Sequence, residues 1–229
     1  MRTLLKDWIG PWRAYAAEFL GTFVFVLIAS GSVLTNVFYG NVGILGIALA
    51  TGLSLTAMIY ATSPFSGGHL NPAVTLALWL VQKIESSRAI FYIAAQTAAS
   101  FCAAATLLFI YGDRALKFTI GAPSVVVSEQ VALVIEVVLT SVLVFVVFAT
   151  MIDKAGEKTT GPLAIGLVVV VATIMAGPLS GAVLNPARVL GPMILTKTYA
   201  YLAIYMVGPA MGSLFGVIYD FLFLRKSKK

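Results

Sequence analysis

Ser66–Val74 reads SGGHLNPAV and Ser180–Arg188 reads SGAVLNPAR, so the pattern S-G-x-x-L-N-P-A recurs 114 residues later. Asn is among the strongest helix N-caps, because its side-chain oxygen accepts an otherwise orphaned backbone N–H. Proline suits the first helical position, where its missing N–H would be unpaired in any case. Asn71–Pro72 and Asn185–Pro186 therefore each predict a helix start, with Ala73 and Ala187 small enough for close approach. The capping oxygen faces its own helix, which leaves the amide NH₂ to donate outward. Two such donors at one spot, backed by two positive helix ends, would hold a water by its oxygen and turn its hydrogens away. That breaks the donor–acceptor chain along which a proton hops, and the positive field repels cations. Asp would cap as well but would place an anion there.

The residues ahead of each Asn carry glycines, Gly67 and Gly68 in the first copy and Gly181 in the second. They predict extended, unpaired backbone. In a membrane such backbone is tolerated only where it is buried in protein or lines a wet cavity. One N-P-A tripeptide would be an ordinary helix start. Two copies in longer matched motifs, each opening an apolar run too short to span a bilayer, point to a pore or binding site.

Composition sets the medium. Hydrophobic residues make up 60% of the 229 and charged residues 10%, and mean hydropathy is +0.98. A soluble domain is about 45–50% apolar and about 25% charged. The chain therefore reads as one integral membrane domain over 1–229, all-α. Six segments are long and apolar enough to span, at about 20 residues each: 14–37, 43–62, 88–111, 128–151, 161–178 and 199–223. The short runs are Pro72–Gln82 and Pro186–Thr196. The net charge of +6 does not suggest nucleic acid, because of where the charges lie. Arg2, Lys6, Arg13, Lys83, Arg88, Lys154, Lys158, Arg225, Lys226, Lys228 and Lys229 fall on one side of the expected membrane. Arg114, Lys117 and Lys197 fall on the other, a bias of eleven to three. Under the positive-inside rule both termini are cytoplasmic. The N-terminus, with Trp8, Ile9 and Trp12 among basic residues, is amphipathic and runs straight into an apolar segment. Cys102 allows no intrachain disulfide and reads as a small packing residue. No metal, cofactor or catalytic constellation is visible.

The halves correspond. Repeat 1 covers about 14–111 and repeat 2 about 128–223, each with an early Glu, the loop motif and a later helix. Three spans per half is an odd number, so the second half enters from the opposite face, giving an inverted three-helix repeat. The two half-helices then meet N-terminus to N-terminus near the midplane. Glu18 and Glu136, early in the first span of each half, are costly in a membrane and need a role. So does Arg188, with no acid near it in sequence. A lone histidine, His69, is more often a packed residue than a switch. In the first loop it is expected to line or brace the cytoplasmic half. Gly208, Gly212 and Gly216, and Ala95, Ala99 and Ala103, form small-residue stripes for helix packing.

With "AEFLGTFVFV", "SGGHLNPAV", "AAQ" in the third span and "SGAVLNPARVLGP", the chain resembles the aquaporin (major intrinsic protein) family over essentially its whole length. The resemblance implies six transmembrane helices plus two re-entrant half-helices, one pore per subunit and a homotetramer. It makes Glu18 and Glu136 acceptors for backbone N–H groups of the loops. Gln96 is expected to hydrogen-bond near the Asn layer, and Val183 to line the second loop with Gly181. Arg188 becomes the filter arginine, and ungapped matching places the filter at Thr51, Thr173, Ala182 and Arg188. Water-selective members typically carry Phe and His at the first two positions, and glycerol facilitators a Trp–Phe wedge. This chain has neither, and Val189 stands where glycerol channels commonly carry Asp. Two threonines and an alanine imply a wider, polar opening. The expected function is a passive channel for water and small neutral solutes such as glycerol, urea or hydroxylated metalloids. The short loops and tails fit a prokaryotic plasma membrane. A strictly water-selective pore and a coupled secondary transporter are the alternatives, the latter requiring ionisable groups along the path.

A wide Thr/Thr/Ala opening predicts that Thr51→Phe lowers solute flux more than water flux in proteoliposomes. Equal loss of both would count against the filter assignment.

Overall fold

The computed structural model describes residues 11–224. The basic residues Arg2, Lys6, Arg225, Lys226, Lys228 and Lys229, and the amphipathic Trp8 and Ile9, lie outside the described residues. The helices are α1 (Trp12–Tyr39), α2 (Gly43–Ser66), α3 (Pro72–Leu80), α4 (Ser86–Tyr111), α5 (Glu129–Val147), α6 (Gly161–Ala176), α7 (Ala187–Leu195), α8 (Leu202–Ser213) and α9 (Phe215–Tyr219). A 3₁₀ stretch, Gly112–Gly121, follows α4, and π turns follow α5 and α9. Helices α3 and α7 are the two half-helices at nine residues each, or about 14 Å at 1.5 Å per residue.

Five segments are apolar and long enough to cross a membrane by themselves, Leu202–Leu224 counting as one. The sixth expected span, α6, is shorter at 16 residues. Its end is set by the second loop. The amides of Leu179, Ser180 and Gly181 all turn back to the carbonyl of Ala176, at 3.0, 3.0 and 3.2 Å. The helix closes there and releases the chain toward Asn185.

The long helices are apolar outward and carry polar groups inward. Leu53, Val134, Val138, Leu167 and Phe109 are among the exposed large side chains. Such contiguous apolar surface requires a non-aqueous surrounding. Thr22, Ser30, Thr51, Gln96, Glu18 and Glu136 are fully buried. The main cluster joins both repeats, with Phe25, Leu55, Ile59 and Val74 from the first against Leu143, Val147, Phe148 and Ile165 from the second. Cys102, expected to pack inside, lies instead on the exposed face of α4. Its neighbour Ala103 takes the buried position.

Without a hydrophobic drive between helices in lipid, close backbone approach does the work. The stripe on the last span serves this. A Cβ at Gly208 would stand 2.6 Å from Glu136 Cβ, one at Gly212 2.5 Å from Thr140 Cβ, and one at Gly216 2.8 Å from the Phe148 ring. The stripe thus seats α8 and α9 on α5. Ala99 and Ala103 of the other stripe are fully buried on α4, where α7 docks through Gly191 N–H to Ser100 Oγ at 2.8 Å. Helices α2 and α6 cross antiparallel. Gly52, next to Thr51, abuts Gly166 and Val170, Gly166 abuts Thr56, and Gly177 abuts Ile44.

Overpacking a close contact costs about 1–3 kcal/mol. Gly212→Leu should therefore lower the thermal unfolding midpoint in detergent clearly. Gly31→Ala, whose Cβ would meet only Leu107 Cδ2 at 3.3 Å, should shift it little.

Candidate functional site

Asn71 caps α3 from extended backbone (φ −155°, ψ 120°), its Oδ1 accepting from Ala73 N at 2.8 Å. Asn185 Oδ1 accepts from Ala187 N at 3.0 Å. The expected Asn caps are therefore both present. The second half-helix starts one residue later than expected, at Ala187 after Pro186. Arg188 N and Val189 N bond three residues back, to Asn185 O and Pro186 O at 3.0 and 3.2 Å, so that first turn is wound tightly.

Each asparagine NH₂ does more than face outward. Asn71 Nδ2 donates to Leu184 O at 3.0 Å, and Asn185 Nδ2 donates to Leu70 O at 2.8 Å. The loops of the two repeats clasp each other by the same bond in both directions. One hydrogen of each amide is held this way, leaving one for a solute. Spacing alone could not find this, since it joins residues 113 and 115 positions apart.

The clasp needs Leu70 and Leu184 in left-handed backbone, φ 49° and 53°. For a non-glycine residue that costs about 1–3 kcal/mol. Buried carboxylates hold it. Glu18 Oε1 accepts from Ser66 Oγ at 2.6 Å and His69 N at 2.9 Å, and Oε2 from Leu70 N at 2.7 Å. Glu136 Oε1 accepts from Ser180 Oγ at 2.8 Å and Val183 N at 3.0 Å, and Oε2 from Leu184 N at 2.9 Å. So Leu70 and Leu184 each give their N–H to a carboxylate and their C=O to the opposite asparagine. The bracing role expected of Glu18 and Glu136 is seen in these contacts.

The halves differ in what surrounds the frame. In the first, Gln96 Nε2 donates to Glu18 Oε2 at 2.8 Å and to Thr75 Oγ1 at 3.1 Å. It braces α3 and the carboxylate rather than the asparagine. His69 Nδ1 lies 3.1 Å from Thr75 Oγ1, and its ring meets Tyr92 edge-on at 5.0 Å. Gly67, Gly68, His69 and Asn71 line a cavity of about 140 Å³ with apolar walls from Leu55, Ile59, Val74, Leu143 and Val147. In the second half, Arg188 Nη1 donates to Gly181 O at 2.9 Å and Ala182 O at 3.0 Å. The loop's own carbonyls hold the arginine.

Of the four expected filter residues, the structure joins Ala182 to Arg188 by that bond, while Thr51 lies on α2 and Thr173 on α6, and the glycine contacts between those helices do not join them. Thr51 Oγ1 is turned back to Ile47 O at 2.7 Å, so it offers the passage less polarity than its type suggested. Thr51 and Ala182 are 0% exposed, Thr173 and Arg188 2%, so all four are buried. None of the four lines the 140 Å³ cavity.

Sequence reasoning missed the contacts of Ser66, Ser180, Thr75, Tyr92 and Tyr205. Tyr92 Oη donates to Ser66 O at 2.8 Å and Tyr205 Oη to Ser180 O at 2.7 Å. A signal existed: "YIAAQ" and "YMVGP" stand at matching places in the two repeats.

Two capped half-helices clasped to each other inside a bundle of apolar helices fit a membrane channel. Comparison with known proteins agrees. The model of the major intrinsic protein family matches residues 6–219, and the chain belongs to that family. It is 38% identical to "Probable aquaporin TIP3-2" of Oryza sativa subsp. japonica over 221 residues, 93% of this chain and 82% of that protein. It is 35% identical to "Putative aquaporin NIP4-1" of Arabidopsis thaliana, covering 87% and 70% respectively. Among solved structures it is similar to the aquaglyceroporin from Plasmodium falciparum, with TM-score 0.83 and 25% identity over 94% of this chain and 98% of that one. The protein is a channel for water and small solutes.

Glu136→Ala would strand two backbone N–H groups and a hydroxyl. Each buried orphan costs about 1–3 kcal/mol, on top of the left-handed backbone. The variant should show a lowered unfolding midpoint and lose water permeability per folded molecule.

Proposed function

We propose that the chain conducts water and small neutral solutes such as glycerol and urea passively, and excludes protons and ions at the Asn71–Asn185 pair and at Arg188. The observation that carries this reading is the reciprocal clasp. It points one remaining N–H from each asparagine at a common region, with the N-terminus of α3 and that of α7 behind them. A water there accepts from both and cannot pass a proton on. Gly67, Gly68, His69, Gly181 and Val183 supply the loop lining, and Thr51, Thr173, Ala182 and Arg188 the filter. Arg188, held by two carbonyls, keeps its positive charge against cations. Exchange without coupling fits the site, since the two buried carboxylates, Glu18 and Glu136, are committed to bracing the loops.

A strictly water-selective pore is the second reading. What favours it is that all four expected filter residues are buried, none above 2% exposed. The proposal also includes a homotetramer in a plasma membrane with both termini cytoplasmic, supported by the family likeness and by the bias of basic residues.

The test is stopped-flow light scattering on proteoliposomes, with an impermeant osmolyte and with glycerol. Fast shrinkage in both, then protein-dependent reswelling in glycerol alone, is expected. Shrinkage without reswelling establishes the water-selective reading for that solute. No acceleration over empty liposomes overturns conduction.

A further inference from the structure

Tyr92 and Tyr205 are 1% and 0% exposed, and a buried tyrosine hydroxyl needs a partner. Both give their proton to the carbonyl of a loop serine, Ser66 or Ser180. The bonds match, but what lies beyond them does not. Ser180 O directly precedes Gly181 O and Ala182 O, the two carbonyls that hold Arg188 Nη1. Gly181, at φ 91°, is wedged between Pro123 and Tyr205, and a Cβ there would stand 3.4 Å from the tyrosine hydroxyl. Glycine is the residue whose backbone turns most freely. The 180–181 peptide is tied at two points, Ser180 O to Tyr205 and Gly181 N–H to Ala176 O at 3.2 Å. Without the tyrosine's proton one tie is lost, and a turn about Gly181 passes to the next peptide, whose carbonyl is the first of the two that hold the arginine. In the first loop the residue matching Arg188 is Val74. Tyr92 there abuts His69, and no cation depends on the carbonyls it orders.

We infer that Tyr205 is a positioning residue for selectivity. Through the Ser180–Ala182 backbone it sets where the Arg188 guanidinium stands, while its counterpart Tyr92 only holds its loop. The inference rests on the reading of Arg188 as the filter cation.

The experiment compares Tyr205→Phe, Tyr92→Phe and Arg188→Ala in proteoliposomes, each normalised to folded protein. Both phenylalanine variants keep the ring, so the core stays filled. The readout is the ratio of glycerol or urea permeability to water permeability, with proton leak measured alongside. A general packing role would scale every permeability together and leave the ratio alone. Tyr205→Phe should shift the ratio by about two- to tenfold, the range of one neutral hydrogen bond, and in the same direction as Arg188→Ala. Tyr92→Phe should leave it unchanged. If Arg188→Ala shifts the ratio and Tyr205→Phe does not, the positioning role is overturned and the filter reading stands. If the two tyrosine variants shift it equally, the asymmetry is overturned. If Arg188→Ala leaves the ratio unchanged, the filter reading falls, and this inference with it.

Discussion

The reciprocal bond between each pore asparagine and the opposite loop is the constraint from which the rest follows. Asn71 to Leu184 and Asn185 to Leu70 close a ring of two loops, two caps and two half-helix starts at the centre of the bundle. Each asparagine is used three ways: oxygen to its own helix, one hydrogen to the other repeat, one hydrogen for the solute. No other side chain offers that set. Asp lacks the donors, Gln is a methylene too long for the cap, and Ser has a single hydrogen. The clasp also fixes the separation of the half-helices, because their starts are tied to each other rather than to the outer shell.

The carboxylates answer a problem the clasp creates. Left-handed leucines between glycines and a proline have backbone groups that no helix can satisfy. Burying an unpaired charge in a bilayer is expensive, yet a carboxylate accepting three N–H or O–H bonds is a satisfied group. Glu18 and Glu136 meet that condition from equivalent places on α1 and α5. Gly208 faces Glu136 directly, so the small-residue stripe on α8 is also what lets the last span approach the brace. Helix packing and loop geometry are one design, and a fault in either reaches the pore.

The repeat is symmetric where the frame is built and asymmetric where solutes are sorted. Leucines, asparagines, serines, glutamates and tyrosines pair across the halves. His69, Thr75 and Gln96 on one side, and Ala182 and Arg188 on the other, do not. The first half carries a hydrogen-bonded histidine above a cavity with apolar walls. The second carries a buried cation held by two loop carbonyls. The two halves thus differ in chemistry while sharing one frame.

The sequence by itself determined the medium, the repeat and the half-helix starts, and marked Glu18 and Glu136 as carboxylates needing a role, which the family resemblance supplied. These follow from local rules: hydropathy over a bilayer thickness, the Asn-Pro cap, and the cost of an intramembrane carboxylate. It also marked Arg188 as an isolated intramembrane charge, and the family resemblance grouped Thr51, Thr173 and Ala182 with it. Only the tertiary structure decided where the second amide hydrogen goes, which carbonyls hold the arginine and which hydroxyls turn away from the path. Those partners lie many residues off, or depend on a rotamer, as with Thr51 bonding Ile47 rather than the pore. The same holds for the short α6 and for Cys102. A helix end and an outward face are set by what packs beside them, and composition along one strand of sequence carries no record of that neighbour.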